Sequence, residues 1–238
     1  MRNSRYRCRI RNIFASQNFK RTNFQFPMNR IVEYFRWKLG LTKEAASKRA
    51  LAAICLGPDD LAIDCGANVG EMTAILARDG AIVHAFEPNP HAFAALSSRF
   101  SGEPNVICHQ AAVSNHDGRM WLYLHANSSQ DEVFWSNGSS LLADKPNIST
   151  DRSIEVEVID LAEFLISLGK PARVLKLDIE GAEIEVMNHL IDRNCLSRAQ
   201  NIFVETHEAK IPSLVAPTRA LQDRLAGLGA THVRLDWV

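Results

Sequence analysis

The stretch Leu61-Ala-Ile-Asp-Cys-Gly-Ala-Asn-Val-Gly70 is a short apolar run that contains an acid near its end and continues into a glycine-rich turn. The segment Glu71-Met-Thr-Ala-Ile-Leu-Ala-Arg78, whose apolar residues have helical spacing, follows directly. This order predicts a strand, a tight loop and a helix, an arrangement that presents backbone N–H groups to a ligand. The loop reads Asp-x-Gly-x-x-x-Gly, so it lacks the Gly-x-Gly-x-x-Gly pattern of nicotinamide dinucleotide sites.

Three residues of this loop are predicted to contact the ligand. Gly66 and Gly70 lack a Cβ and would let a ligand approach the backbone. Asp64, at the carboxyl end of the strand, offers an acceptor for a cationic or hydroxyl-bearing group. The alternative interpretation is a tight strand-to-helix turn that binds nothing.

A second strand-like run, Ala81-Ile-Val-His-Ala-Phe-Glu-Pro88, ends in Glu87. An acid at the end of the second strand, roughly 20 residues after the loop, is placed to accept hydrogen bonds from the two hydroxyls of a ribose. A solvated carboxylate at a strand end is the alternative. The loop and the acid together favour ribose binding.

Several segments resemble, in the same order, the FkbM family of S-adenosylmethionine-dependent methyltransferases. They are Asp64-Cys-Gly-Ala-Asn-Val-Gly70, Phe86-Glu-Pro88, Ala111-Ala-Val-Ser114, Gly138-Ser-Ser-Leu141, Leu175-Lys-Leu-Asp-Ile-Glu-Gly-Ala-Glu183 and Phe203-Val-Glu-Thr-His207. The resemblance implies an α/β, Rossmann-like class I methyltransferase fold, with a mostly parallel doubly wound sheet and helices on both faces. It also implies S-adenosylmethionine as the cofactor, and O-methylation of a hydroxyl on a sugar, a lipid-linked glycan or a secondary metabolite.

The resemblance further implies where the methyl donor is held. Asn68 is expected to contact the amino-acid end of the donor, and backbone groups of Ala112 and Val113 are expected to flank its adenine. The predicted cofactor-binding residues are therefore Asp64, Gly66, Ala67, Asn68, Gly70, Glu87, Ala112 and Val113.

Acidic residues and a histidine end the later strands. Ligands of doubly wound sheets lie outside the carboxyl ends of the strands, so Asp178, Glu180, Glu205 and His207 are predicted to share one crevice with the loop. His207, with an ordinary pKa of about 6.5, is the predicted general base, and Asp178 and Glu180 are the alternatives for taking the proton or orienting the acceptor. Lys176 faces the same side of its strand as Asp178, either in a catalytic role or as a structural ion pair.

The four crevice residues are also a candidate divalent-metal set. Oxygen-rich ligands suit Mg²⁺ or Ca²⁺. Two separated carboxylate pairs do not define a coordination geometry, so the sequence assigns no metal ligands. Glu183 and Glu185 begin the next helix, where the helix dipole favours carboxylates, and they are interpreted as ordinary helix residues.

Strand and helix patterns alternate along the chain, which predicts βαβ units and a largely parallel sheet. The predicted strands are 61–65, 82–87, 105–113, 173–178, 201–205 and 231–237, with 119–125 and 153–159 in an insertion. The predicted helices are 43–56, 69–78, 90–100, 160–168, 182–193 and 217–228. The polar stretch 126–151 shows no periodicity. An antiparallel partner for the last strand is either missing or supplied by the insertion.

Charge divides the chain into an arm and a core. Residues 1–43 carry 11 Lys/Arg and one acid, whereas the remaining 195 residues carry 16 Lys/Arg and 26 acids. We predict a basic, disordered arm over 1–29, a helical N-terminal cap over 30–57, and a methyltransferase domain over 58–238 with an insertion at 119–160. Other interpretations of the arm are a segment for nucleic acid or weak contact with anionic membranes, a targeting peptide, or sequence upstream of a start at Met28.

The partner expected from these patterns is a hydroxyl acceptor, either a small molecule or a glycan. The alternative function is that of a nucleic-acid-binding protein or RNA methyltransferase that uses the basic arm. The acidic core and the absence of an Asn-Pro-Pro-Tyr signature argue against it. No apolar run approaches the roughly 18 residues of a membrane span. Five cysteines without a C-x-x-C pair favour a reducing compartment, so we expect a cytoplasmic location.

Overall fold

The computed structural model describes residues 42–128, 132–133, 136, 138–142, 145 and 148–237. The predicted arm over 1–29 and the first part of the cap, 30–41, lie outside the described residues. The described elements are, in chain order, α1 Lys43–Ala52, β1 Leu61–Cys65, α2 Glu71–Ala77, β2 Ile82–Phe86, α3 Pro90–Arg99, β3 Val106–His109, β4 Ala112–Ser114, β5 Gly118–His125, β6 Ile148–Asp160, α4 Leu161–Ser167, β7 Val174–Leu177, α5 Glu183–Asp192, β8 Ile202–Glu205, α6 Val215–Gly227 and β9 Val233–Trp237.

A six-stranded sheet with the order β3-β2-β1-β7-β8-β9 forms the centre of this part of the chain. All of its strand pairs are parallel. The strand order reverses between β1 and β7, so a crevice opens at the carboxyl ends of these strands. The predicted doubly wound α/β fold is confirmed.

The two faces of this sheet are covered by different helices. In β1, Leu61, Ile63 and Cys65 pack into the core beneath α4, α5 and α6. Ala62 faces the opposite core, where it packs with residues of α1 and α2 that include Leu76. Because both faces are buried, β1 is a continuous apolar run rather than an alternating one. This double burial also places Asp64 in the interior.

The stretch predicted as one strand over 105–113 is two strands in two sheets, and that prediction is wrong. β3 ends where His109 pairs with Phe86 of β2. Three residues later the chain enters a three-stranded sheet of order β4-β6-β5, in which Ala112 pairs with Val158. Both pieces are apolar, so periodicity does not mark the break.

The insertion supplies the other two strands of the smaller sheet. β5 and β6 pair in antiparallel register, and β6 is longer than predicted because it begins at Ile148 within the polar stretch. The insertion therefore adds no strand to the main sheet. Among the described residues, β9 pairs only with β8, in parallel. No helix in these described ranges combines the length and apolarity needed to cross a membrane.

Candidate active site

A pocket opens at the carboxyl ends of β1, β2 and β7. Seven predicted site residues line it, namely Gly66, Asn68, Glu87, Ala112, Val113, Asp178 and Glu180. The other lining residues are Phe86, Pro88, Ala111, Leu122, Ser136, Ser139, Leu141 and Ile179.

Glu87 is held rigidly at the edge of this pocket. Its Oε2 accepts the backbone N–H of Asn68 at 2.9 Å, and its Oε1 accepts that of Asn89 at 2.8 Å. Asn89 also caps α3, because its Oδ1 accepts the N–H of His91 at 3.0 Å. Each carboxylate oxygen can accept a second hydrogen bond, so Glu87 can receive two ligand hydroxyls in a fixed orientation.

Burial gives Glu87 an unusual acidity. The residue is 6% exposed. Removal from water disfavours the carboxylate and raises the pKa of Glu87 to about 7, although the N–H groups of Asn89 and Asn68 oppose this shift. Any ligand that donates hydroxyl hydrogen bonds to Glu87 stabilises its ionised form.

At both glycines of the loop an added Cβ would point into the protein rather than into the pocket. A Cβ on Gly66, whose φ is +77°, would lie 1.8 Å from the carbonyl oxygen of Asp178. A Cβ on Gly70 would lie 2.4 Å from the ring of Phe100 in the core, and Gly70 does not line the pocket. Ala67 is likewise buried in that apolar cluster. Gly66 reaches the pocket, but close packing of β1 against β7 is what requires it to be glycine.

Asp64 and Lys176 form a buried ion pair behind the pocket. Lys176 Nζ lies 3.1 Å from Asp64 Oδ1 and 3.3 Å from Asp178 Oδ2, and it donates to the Gly66 carbonyl at 2.8 Å. Thr73 donates a further hydrogen bond to Asp64 at 2.7 Å. Asp64 is fully buried and does not line the pocket, which argues against its predicted contact with the donor. Of the two roles considered for Lys176, this placement favours the structural ion pair.

Residues of the insertion contact Glu180 at the wall of the pocket. Lys145, itself buried, lies 2.6 Å from Glu180 Oε2 and donates to the Gly138 carbonyl at 2.8 Å. Ser140 donates to the Glu180 backbone carbonyl at 2.7 Å. Glu180 has a φ of +60°, a left-handed conformation that non-glycine residues rarely adopt. These contacts hold the strained residue at the pocket wall.

His207 lies beside the pocket but does not line it. Its side chain is fully buried. Nδ1 lies 3.0 Å from Glu183 Oε1, while Nε2 lies 3.3 Å from Glu180, 3.6 Å from Glu205 and 3.8 Å from Asp178. The crevice predicted from the strand ends therefore brings these residues together.

The carboxylates around His207 change its acidity. Burial by itself lowers the pKa of His207, but the neighbouring carboxylates, Glu183 above all, raise the pKa to about 9. The ring carries a proton at neutral pH in the protein alone. It therefore has no free nitrogen with which to accept one. The raised pKa differs from the expected value near 6.5 and argues against the predicted role of general base.

Two residues of the site were missed in the sequence. Glu183 is fully buried, and its carboxylate accepts the backbone N–H groups of Ile179 and Gly181, at 2.8 Å and 2.9 Å. It was interpreted as an ordinary helix residue because a carboxylate in a first turn is common. Lys145 lies in the polar stretch 126–151, which has no periodicity, so no sequence pattern identifies it as a site residue. Glu185, in contrast, is exposed, as expected.

Comparison with known proteins identifies a family match over most of the chain. The family profile described as Methyltransferase FkbM domain matches residues 64–224. The hexuronic acid methyltransferase AglP of Haloferax volcanii is 30% identical over 181 residues, which cover 75% of this chain and 68% of AglP. The 31-O-demethyl-FK506 methyltransferase FkbM of Streptomyces tacrolimicus is 30% identical over 184 residues, which cover 64% of this chain and 67% of that protein.

Among solved structures, an rRNA methylase from Streptococcus thermophilus is similar with a TM-score of 0.41. The identity is 14%, over 78% of this chain and 80% of that one. This likeness is too weak to carry a conclusion about activity.

Proposed function

The chain belongs to the FkbM methyltransferase family, and from that premise we propose that it transfers a methyl group from S-adenosylmethionine to a hydroxyl of a sugar or a related small metabolite. The observation that carries the proposal is Glu87, a buried carboxylate fixed by two backbone N–H groups at the pocket edge. It follows β2, the strand beside the point between β1 and β7 where the strand order reverses, and such folds bind nucleotides at that point.

One side of the pocket wall is suited to the base of a nucleoside whose ribose binds Glu87. Phe86, Ala112, Val113 and Leu122 give it an apolar side suited to an adenine ring. Asn68, in the loop after β1, donates its side-chain amide to Ser136 of the insertion at 3.1 Å, so this hydrogen bond connects the insertion to the loop.

The polar wall supports transfer to a hydroxyl. S-adenosylmethionine, when bound, supplies an electrophilic methyl group. Asp178 and Glu180 face the same pocket and can accept a hydrogen bond from the acceptor hydroxyl, which aligns its oxygen. Since His207 is protonated in the protein alone, these two carboxylates are the better candidates for receiving the hydroxyl proton.

The acceptor class follows from the relatives. One is named for a hexuronic acid and the other for a demethylated secondary metabolite, and both names describe methyltransferases. We assign acceptor selection to the insertion over 119–160, because Ser136, Ser139 and Leu141 close one side of the pocket. The alternative nucleic-acid function gains no support from these relatives, and the basic arm lies outside the described residues.

Calorimetry with S-adenosylhomocysteine tests the donor assignment. We expect saturable binding to the full chain, and binding about 10–150-fold weaker in Glu87→Gln, because a charged acceptor contributes about 1.5–3 kcal/mol. Glu103→Gln, the same change at an exposed residue, should keep the wild-type affinity. Tighter binding of NAD than of S-adenosylhomocysteine would overturn the proposal.

The same affinity should depend on pH. Hydroxyl donation stabilises ionised Glu87, whose pKa of about 7 in the free protein must then fall on binding. We therefore expect binding to weaken by up to about tenfold from about pH 8 to about pH 6, with proton release on binding near neutral pH. In Glu87→Gln the difference should vanish. An affinity that does not change with pH in the wild-type chain contradicts this assignment.

A further inference from the structure

Three carboxylates surround one ring nitrogen of the buried His207. Nε2 faces oxygens of Glu180, Glu205 and Asp178 at 3.3 to 3.8 Å. One ligand atom each from Asp178, Glu180 and His207 can be chosen so that all three lie within 4.8 Å of one another. Asp178 and Glu180 also line the pocket, so the cluster reaches the place where an acceptor would bind.

Nε2 of His207 has no aligned hydrogen-bond partner among the described residues, although Glu183 lies 3.0 Å from Nδ1. Both ring nitrogens are buried, and neither makes an aligned hydrogen bond within the described part of the chain. A buried polar group without such a bond is costly, and it suggests that a ligand or ion completes the site. Nε2 points among carboxylate oxygens, a setting suited to a cation.

Glu183 orients the ring for that purpose. Its Oε1 lies 3.0 Å from Nδ1 of His207. The Glu183 carboxylate is itself held by the N–H groups of Ile179 and Gly181, so its position is fixed. Metal-binding histidines commonly direct one nitrogen at a carboxylate and the other at the metal.

The spacing of the donor atoms agrees with coordination of one ion. Two ligand atoms about 2.1 Å from a metal, at angles of about 90–110°, lie about 3.0–3.5 Å apart. The separation from Nε2 to Glu180 is in this range, and those to Glu205 and Asp178 exceed it by a few tenths of an ångström at most.

The charges around the cluster leave room for a divalent cation. Five carboxylates and three ammonium groups are linked there by ion-pair contacts, so two negative charges remain once a bound cation displaces the proton of His207. Lys145 contacts Oε2 of Glu180, the same oxygen that lies 3.3 Å from Nε2 of His207. The carboxylates are Asp64, Asp178, Glu180, Glu183 and Glu205, and the ammonium groups are Lys145, Lys176 and Lys210.

We propose that Asp178, Glu180 and His207, with Glu205 beside them, bind a divalent transition-metal cation such as Mn²⁺ at the pocket wall. The imidazole nitrogen favours a first-row transition ion over the Mg²⁺ or Ca²⁺ expected from oxygen ligands alone. Glu183 is a positioning residue that sets the orientation of the ring.

The role of this cation rests on the proposed function, whereas its binding does not. A cation at Asp178 and Glu180 stabilises the negative charge that develops on the acceptor oxygen. The acceptor oxygen forms its new bond to the methyl carbon while the sulfur–methyl bond breaks. The hydroxyl proton passes to a pocket carboxylate and then to solvent, and the sulfonium becomes a neutral thioether.

The test is titration of the EDTA-treated full chain with Mn²⁺. Binding is monitored by calorimetry and by the decrease in the electron paramagnetic resonance signal of free Mn²⁺. We expect one ion per chain, and binding at least about tenfold weaker in Asp178→Asn and in His207→Gln. His189→Gln is the matched control, because within the described part of the chain His189 forms an ion pair with one carboxylate, that of Asp160, at 3.0 Å. It should keep the wild-type affinity for Mn²⁺.

Two results would overturn the site. One is the absence of saturable Mn²⁺ binding to the wild-type chain. The other is equal affinity in Asp178→Asn, His207→Gln and His189→Gln, with circular dichroism showing that each is folded. S-adenosylhomocysteine affinity, measured on the same EDTA-treated samples, separates the two proposals. A chain that binds this ligand but not Mn²⁺ loses the metal site and keeps the methyltransferase assignment.

Discussion

Lys176→Met is expected to lower the free energy of unfolding by about 3–5 kcal/mol, because it leaves a buried charge without its partner. Lys176 is 2% exposed and Asp64 fully buried. Burial alone lowers the pKa of Lys176, but Asp64 and Asp178 outweigh it and raise the pKa above its ordinary value. Methionine fills a similar volume but offers no charge, so Asp64 would keep only its hydrogen bond from Thr73.

Urea unfolding of the full chain measures this loss. Lys170→Met is the matched control, because Lys170 is exposed, and its effect should stay within about 0.5 kcal/mol. The double variant Asp64→Asn with Lys176→Met should recover much of the stability, since both charges are then removed together. If Lys176→Met unfolds at the wild-type urea concentration, the ion pair does not hold β1 to β7.

The ion pair between Asp64 and Lys176 could be predicted from the sequence only in part. The position of Asp64 at the end of β1 was predictable, because the apolar run and the glycine turn define that strand. The partner of Asp64 was not predictable, since a carboxylate at a strand end either faces a ligand or forms an ion pair with a residue of the neighbouring strand. Only the neighbouring strand decides this choice, and Lys176 lies directly beside Asp64 in the register of β1 with β7.

The main sheet was predictable for a related reason. Each βαβ unit is local, and buried parallel strands are apolar runs bounded by turns, so strand existence and order follow from the pattern. The smaller sheet was not predictable, because Ala112 pairs with Val158 across more than forty positions of sequence. The passage from β3 to β4, His109-Gln110-Ala111, contains no Gly, Pro, Asn or Asp that would indicate a turn between two sheets.

The residues of the candidate site also form two groups, one predictable from the sequence and one not. Glu87, Asp178 and Glu180 lie at strand ends that the fold brings together, so their meeting follows from topology. Lys145 and Glu183 enter through side-chain contacts made by the insertion and by α5. The acidity of His207 depends on those contacts too, which is why its ordinary pKa was the wrong guide.

The glycines of the loop give the second large effect. Gly66→Ala is expected to lower the free energy of unfolding by about 2–5 kcal/mol, combining left-handed backbone strain of about 1–2 kcal/mol with overpacking of about 1–3 kcal/mol. The added Cβ would lie 1.8 Å from the Asp178 carbonyl oxygen and 2.9 Å from its carbon. Both are backbone atoms, so the end of β7 must move to make room.

Gly169→Ala separates the two contributions. Gly169 has a φ of +72°, close to that of Gly66, but a Cβ there would meet nothing within 4 Å. It should lose only the strain of about 1–2 kcal/mol and keep its affinity for S-adenosylhomocysteine. Gly66→Ala should lose more stability and also bind that ligand more weakly, because Asp178 lines the pocket. Equal losses in the two variants, by urea unfolding and calorimetry, would mean that β7 yields freely and that the close approach of Gly66 to Asp178 does not shape the site.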